Sequence, residues 1–172
     1  HRIYTRNLLD GLRERGVKAT FFVVGENIPG NEELIRQMEE DGHLIGNHTY
    51  DHADISKMSD EENCRELRKT SELVKQITGH QTAYVRPPFG NWKESMDCRI
   101  SMIAVKWTID TLDWKSKNVE EIIRKVMQQV SDHDIILMHD YYATSVEAAF
   151  QIVDRLKAEG YEFVTVEDLI LT

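Results

Sequence analysis

The chain has 172 residues, 41% apolar and 30% charged, with 21 basic against 30 acidic residues and a formal net charge of −9. That length suits one domain with a substantial single core, and the acidic balance argues against a nucleic-acid backbone or an anionic lipid surface as the main partner, so neither a nucleic-acid role nor membrane contact is expected. No apolar run approaches the ~18 residues that a membrane span needs.

The elements alternate along the chain. Tyr4 to Arg15 carries Leu8, Leu9 and Leu12 at helical spacing, with Gly16 as a stop. Lys18 to Val24 is a short β-branched and aromatic run, the pattern of a buried strand. Asn31 to Glu40 is an amphipathic helix ending at Gly42, and His43 to Gly46 a short strand. Ser59 to Thr78 opens with a capping-box pattern, Glu62 three residues after Ser59, and stops at Gly79. Strands are predicted over Thr82 to Val85, Ser101 to Trp107 and Asp134 to Met138. Val119 to Val130 is a helix capped by Asn118. Ser145 to Glu159 is a helix, and Tyr161 to Val166 the last strand.

Repeated strand–helix units imply a parallel sheet covered by helices, and in such folds chemistry gathers at the carboxyl ends of the strands. The reactive-looking residues sit there. His48 and His52, spaced i,i+4, follow one strand, and Arg86 follows the next. Asp110 and Asp113 follow the strand ending near Trp107, and His139 and Asp140 follow Asp134 to Met138. If the backbone coils at Gly46-Asn47-His48-Thr49-Tyr50-Asp51-His52, the two imidazoles share a helical face and can grip one divalent metal. Cys64 and Cys98 are too few for a disulfide framework and read as free thiols, with one bridge between them left open.

In that order, the motifs resemble those of the polysaccharide deacetylases of carbohydrate esterase family 4, the NodB-homology domain. His48-Thr49-Tyr50-Asp51-His52 matches the metal motif, Arg86-Pro87-Pro88-Phe89-Gly90 the third, Asp110-Thr111-Leu112-Asp113-Trp114 the fourth and Leu137-Met138-His139 the fifth. The resemblance covers nearly the whole chain. It implies a single catalytic domain over residues 1–172, an α/β fold of distorted (β/α) barrel type with about seven strands, and a divalent metal, zinc or else cobalt. One departure stands out. The family's first motif, Thr-Phe-Asp-Asp-Gly-Pro, has no counterpart, because the chain begins at His1 where that motif would just have ended. The expectation is an N-terminally truncated domain whose first strand, basic aspartate and third metal ligand, another aspartate, lie upstream of His1.

By the same resemblance His48 and His52 are metal ligands, and His139 is the acid that protonates the departing amine. Asp113 orients His139, Arg86 orients the basic aspartate, and Phe89, Trp114 and Leu137 meet the substrate. The implied reaction is metal-dependent de-N-acetylation of N-acetylglucosamine units, with release of acetate. Phe89 resembles the glucosamine-directed branch, which favours peptidoglycan. Chitin oligomers, acetylated xylan and non-catalytic glycan binding remain as alternatives. The implied location is extracellular or at the cell surface, with anchoring through a segment upstream. Bland readings stand beside these: Thr49 as a local cap, Asp110 as a turn cap, Asp140 as structural, and Phe89 and Trp114 as core aromatics. His1, His43, His80 and His133 take no functional role, and Lys115-Ser116-Lys117 reads as a solvated loop.

Overall fold

The computed structural model describes residues 2–98 and 101–171, so His1 lies outside the described residues. In chain order the elements are α1 (Arg2–Arg15), β1 (Thr20–Val23), α2 (Glu32–Glu40), β2 (Leu44–Asn47), α3 (Asp60–Thr78), β3 (Tyr84–Val85) and β4 (Ile103–Ala104). They continue with β5 (Ile109–Asp110), α4 (Asp113–Ser116), α5 (Val119–Met127), β6 (Ile136–Leu137), α6 (Ala143–Ala158) and α7 (Val166–Leu171). These elements form two compact units, residues 20–106 and residues 2–19 with 107–171.

In the unit of residues 20–106, β1, β2, β3 and β4 lie side by side in that order, every pair parallel. Parallel neighbours cannot be joined by a hairpin, so α2 and α3 serve as crossovers. α2 buries Leu34, Ile35 and Met38, and α3 buries Leu67 and Val74. The ends of α3 are as its sequence spells them. Ser59 Oγ accepts the Glu62 N–H at 3.2 Å, and Gly79 closes the helix at φ 82°. Gly46 of β2 faces Phe22 of β1 in register; a Cβ there would fall 2.5 Å from the Phe22 ring.

In the unit of residues 2–19 and 107–171, β5 and β6 pair in parallel, Ile109 with Ile136 and Asp110 with Leu137. The connection between them contains α5, whose start is capped by Asn118 Oδ1 on the Glu121 N–H at 3.0 Å. Ile109, Ile122, Ile123, Val126, Ala148, Ile152 and Leu156 form the core cluster of this unit. α1 and α5 both pack on α6.

Several expectations need correction. The run Ser101 to Trp107 holds only β4, and a separate strand, β5, follows it and pairs with β6. Tyr161 to Val166 pairs as no strand among the described residues; Phe163 O accepts the Lys18 N–H at 3.4 Å, and α7 begins at Val166. The run Lys115 to Lys117 is not a loop throughout, since Asp113–Ser116 is one helical turn.

Cys64 and Cys98 are not free: they form a disulfide. A separation of 34 residues carries no signal by itself. The fold makes the pair, by packing the segment after β3 against α3 in a cluster of Cys64, Leu67, Val85 and Cys98 flanked by Trp92, Met96 and Met102. Closing a loop of that length removes about 3–4 kcal/mol of unfolded-state entropy on the chain-entropy account. The double variant Cys64→Ser/Cys98→Ser is therefore expected to melt roughly 10 °C lower, the shift such a loss produces in a domain of this size. Thermal unfolding with and without reductant should show the same difference in the parent protein and none in the variant.

Candidate functional site

The loop that leaves β2 does not coil into a helix. Residues 48–54 are irregular, so the side-by-side placement of His48 and His52 comes from a turn and not from helical spacing. Thr49 (φ 63°) and His52 (φ 62°) both take the left-handed conformation that residues with a Cβ seldom adopt. Side chains hold the turn. Asn47 Oδ1 accepts the Thr49 N–H at 2.9 Å, and Thr49 Oγ1 accepts the His52 N–H at 3.1 Å, the local cap expected of Thr49. The two imidazoles then stand edge to face with centroids 4.7 Å apart.

His48 Nδ1 lies 2.5 Å from the carbonyl oxygen of Arg86. A carbonyl only accepts, so Nδ1 carries the proton and the lone pair is on Nε2, the tautomer suited to metal ligation. This bond exists because β2 and β3 are parallel neighbours, so His48 and Arg86 leave the same sheet edge on adjacent strands. The donor chemistry fits a borderline divalent ion, for which neutral imidazole is a favoured ligand. Among the described residues no cluster of three or more His, Cys, Asp or Glu side chains is gathered to hold an ion alone. The pair by itself can offer two imidazole donors.

Arg86 is buried at 9% exposure. Its guanidinium gives Nη2 to Lys106 O at 3.0 Å and lies 4.5 Å over the Phe22 ring. Burial pulls its pKa down to about 10, so it remains cationic at neutral pH. Pro87 and Pro88 then steer the chain into a tight turn at Phe89 (φ 60°) and Gly90 (φ 73°). Phe89 projects outward at 67% exposure, its ring edge-on to His52 at 5.2 Å, so it is not a core aromatic. Asn91 ties this loop to the one after β2, donating to both carboxylate oxygens of Asp54 at 3.2 Å.

The second constellation lies in the other unit. Asp110 Oδ1 accepts the Leu112 N–H at 3.0 Å, a turn cap as read, and carries the chain through Leu112 at φ 51° to Asp113. Thr111 Oγ1 donates to Leu137 O at 2.8 Å, fastening the end of β5 to β6. Asp113 is fully buried and grips His139 twice: Oδ2 accepts the backbone N–H at 2.7 Å, and Oδ1 faces Nδ1 at 2.9 Å. The carboxylate thus fixes Nδ1 as the protonated nitrogen and leaves Nε2 to exchange a proton with a substrate. Burial works to raise the Asp113 carboxyl, but the hydrogen bonds from the His139 ring and backbone outweigh it, and the group is held below the usual carboxylate range.

Trp114 is half exposed and Leu137 is buried in β6. Asp140 accepts Thr5 Oγ1 at 2.5 Å, a structural tie to α1. His43 is buried against Phe21, and His80 and His133 are surface groups beside Glu39 and Asp132. One residue absent from the motif-derived candidates holds the metal-motif turn: Asn47, fully buried, whose Oδ1 takes the Thr49 N–H. Asn47 had a legible signal, a polar side chain ending a buried strand just before His48.

The family model described as polysaccharide deacetylase matches residues 2–105. The peptidoglycan-N-acetylglucosamine deacetylase PgdA of Listeria monocytogenes is 36% identical over 165 residues, covering 96% of this chain and 35% of the relative. The solved structure of peptidoglycan deacetylase PdaC from Bacillus subtilis matches with a TM-score of 0.94 and 33% identity, over 98% of this chain and 84% of that one. A family 4 acetyl xylan esterase from Clostridium thermocellum, solved in complex with a cobalt ion, matches with a TM-score of 0.92 and 30% identity, over 99% and 85% of the two chains. The chain belongs to the polysaccharide deacetylase family and has the α/β fold of these structures. It spans about a third of the length of PgdA.

The Asp113–His139 pair generates a pH prediction. Its folded carboxyl is depressed, so the stability it contributes is full above the ordinary carboxylate range and is lost as pH falls through that range toward the folded value. Asp113→Asn should cost about 2 kcal/mol at neutral pH, the order of a hydrogen bond to a charged group, and should flatten the acid limb. Urea unfolding over a pH series checks both.

Proposed function

We propose that this chain is the catalytic domain of a metal-dependent deacetylase that hydrolyses the N-acetyl groups of N-acetylglucosamine units in peptidoglycan, releasing acetate. The observation that carries the reading is the His48–His52 pair with His48 Nδ1 fixed on the Arg86 carbonyl, inside the family-matched residues 2–105. The names of the relatives support the substrate class, and the resemblance of Phe89 to the glucosamine-directed branch supports the sugar. By the same likeness residues 1–172 are read as one domain of distorted (β/α) barrel type with about seven strands.

His48 and His52 would hold the ion, zinc by preference, with cobalt supported by the Clostridium thermocellum relative. When bound, such an ion polarises the acetyl carbonyl and lowers the pKa of water to about 7. The chain's own groups do the rest. Arg86 keeps its charge and can hold a basic carboxylate in place. A backbone N–H near Phe89 serves the oxyanion. His139 delivers a proton from Nε2 to the departing amine while Asp113 holds Nδ1. Trp114 and Leu137 line a slot for the acetyl methyl.

The disulfide between Cys64 and Cys98 supports an oxidising location, outside the membrane or on the cell surface, as does a cell-wall substrate. Among the described residues no helix is long and apolar enough to cross a membrane.

Acetate release from peptidoglycan and from a chitin oligomer, with added zinc or with chelator, tests the reading. Zinc-dependent release is expected, with His48→Ala or His52→Ala reducing it to background. His139→Ala should lose ~10²–10⁴ in kcat with the metal still bound, the usual span for one general acid. Oligomer binding without any acetate release would overturn the enzymatic reading and make the chain a non-catalytic glycan binder.

A further inference from the structure

Within the unit of residues 2–19 and 107–171, the aromatic side chains exposed among the described residues are Trp114 at 50% and Tyr141 at 37%. Both adjoin the Asp113–His139 pair. Trp114 follows Asp113 in the chain, and the Tyr141 ring stacks on the His139 ring, with centroids 6.1 Å apart and planes 21° from parallel. The neighbours of Tyr141 hold it there. Asp140 is tied to α1 through Thr5 Oγ1. Tyr142 caps the start of α6, its carbonyl accepting the Val146 N–H at 3.3 Å, and its ring lies under Lys117 Nζ at 4.5 Å. The chain is thus anchored on both sides of Tyr141, which keeps its ring beside the imidazole while more than a third of the residue faces water.

We propose that Tyr141 is a substrate-stacking residue, whose exposed ring holds a pyranose unit of the glycan beside His139. This rests on the glycan reading of the site given above. The acid must come within about 3 Å of the departing nitrogen. That nitrogen is a substituent of a sugar ring, so the sugar ring lies one bond beyond it, next to the imidazole. The surface that flanks the imidazole is the Tyr141 ring. One face of a pyranose carries mainly C–H groups. An aromatic face is flat and carries the negative end of the ring quadrupole, so it attracts such a surface. A tyrosine that served only to brace His139 would gain from deeper burial of its ring. Tyr142, the next residue, has its ring engaged by Lys117 and does not offer the same face.

The test uses chitin tetramer with two readouts: calorimetric binding in the presence of chelator, where no turnover intrudes, and acetate release with zinc. Tyr141→Ala and Tyr141→Leu should each bind the tetramer roughly 10-fold more weakly, the order of one lost aromatic stacking contact, and should raise KM with kcat little changed. Leucine keeps apolar bulk without a ring face, so it separates stacking from packing. Tyr141→Phe keeps the ring and should restore binding and KM to near the parent level. Unchanged tetramer binding in Tyr141→Ala, with acetate still released, overturns the stacking role and leaves the deacetylase reading standing. A loss in kcat alone also overturns it and makes Tyr141 a brace for His139. Tyr141-dependent binding by a parent protein that releases no acetate supports the stacking role and overturns the deacetylase reading. A parent protein that binds no tetramer overturns the inference.

Discussion

Parallel pairing is the constraint on which the rest of this structure depends. Every strand pair described runs parallel, so each connection must cross back over the sheet, and successive strands end at the same edge. In the unit of residues 20–106 this brings the segments after β2 and β3 together, and the direct product is the bond from the His48 ring to the Arg86 carbonyl. In the other unit the ends of β5 and β6 meet in the same way, and the product is the double grip of Asp113 on His139. Neither contact is local in sequence: 38 residues separate the first pair and 26 the second. Both are fixed by register, because slipping a short parallel strand by one residue would turn these side chains to the other face.

Strain collects beside the same residues. Of the described non-glycine residues with positive φ, Thr49, His52, Phe89 and Leu112 are candidate groups or direct neighbours of one, while Lys117 and His133 lie elsewhere. At about 1 kcal/mol or more apiece, the four together are comparable with the contribution of the disulfide. Local hydrogen bonds hold Thr49, His52 and Leu112 through Asn47, Thr49 and Asp110. Phe89 relies on the stiffness of two preceding prolines and on turn bonds from Gly90 N–H to Pro87 O and from Asn91 N–H to Pro88 O.

What was legible in the sequence follows from how local each signal is. The caps at Ser59 and Asn118, the stop at Gly79 and the α/β alternation were readable because the residues that carry them are adjacent in the chain. The pairing of Asp113 with His139 was readable only through motif order, not through any spacing rule. Strand limits were overestimated: with β3, β4, β5 and β6 only two residues each, hydrophobic runs extend well past the paired backbone. The i,i+4 spacing of the histidines suggested a helix, and the turn reaches the same proximity by left-handed residues instead, a conformation that no side-chain periodicity reports. The disulfide and the role of α3 behind the metal-motif turn depend on tertiary packing between segments 20 to 35 residues apart, which composition and periodicity do not encode.

The buried charges Arg86 and Asp113 show how stability and chemistry divide in this fold. Each is almost or wholly removed from water, and each could in principle be replaced by an apolar side chain of similar volume with a gain in stability, since desolvating an ion is seldom fully offset. Their environments offset the penalty differently. Asp113 has two strong hydrogen bonds from one partner and ends below its ordinary pKa, so the fold favours its charge. Arg86 has carbonyl oxygens and an aromatic face around it and ends below its ordinary pKa as well, so burial weighs against its charge. Asp113 is thus explained by its partner within the fold. Arg86 keeps its charge at neutral pH against that burial, and its backbone carbonyl takes the Nδ1 proton of His48, so one buried residue supports the sheet edge with its side chain and orients the imidazole with its main chain.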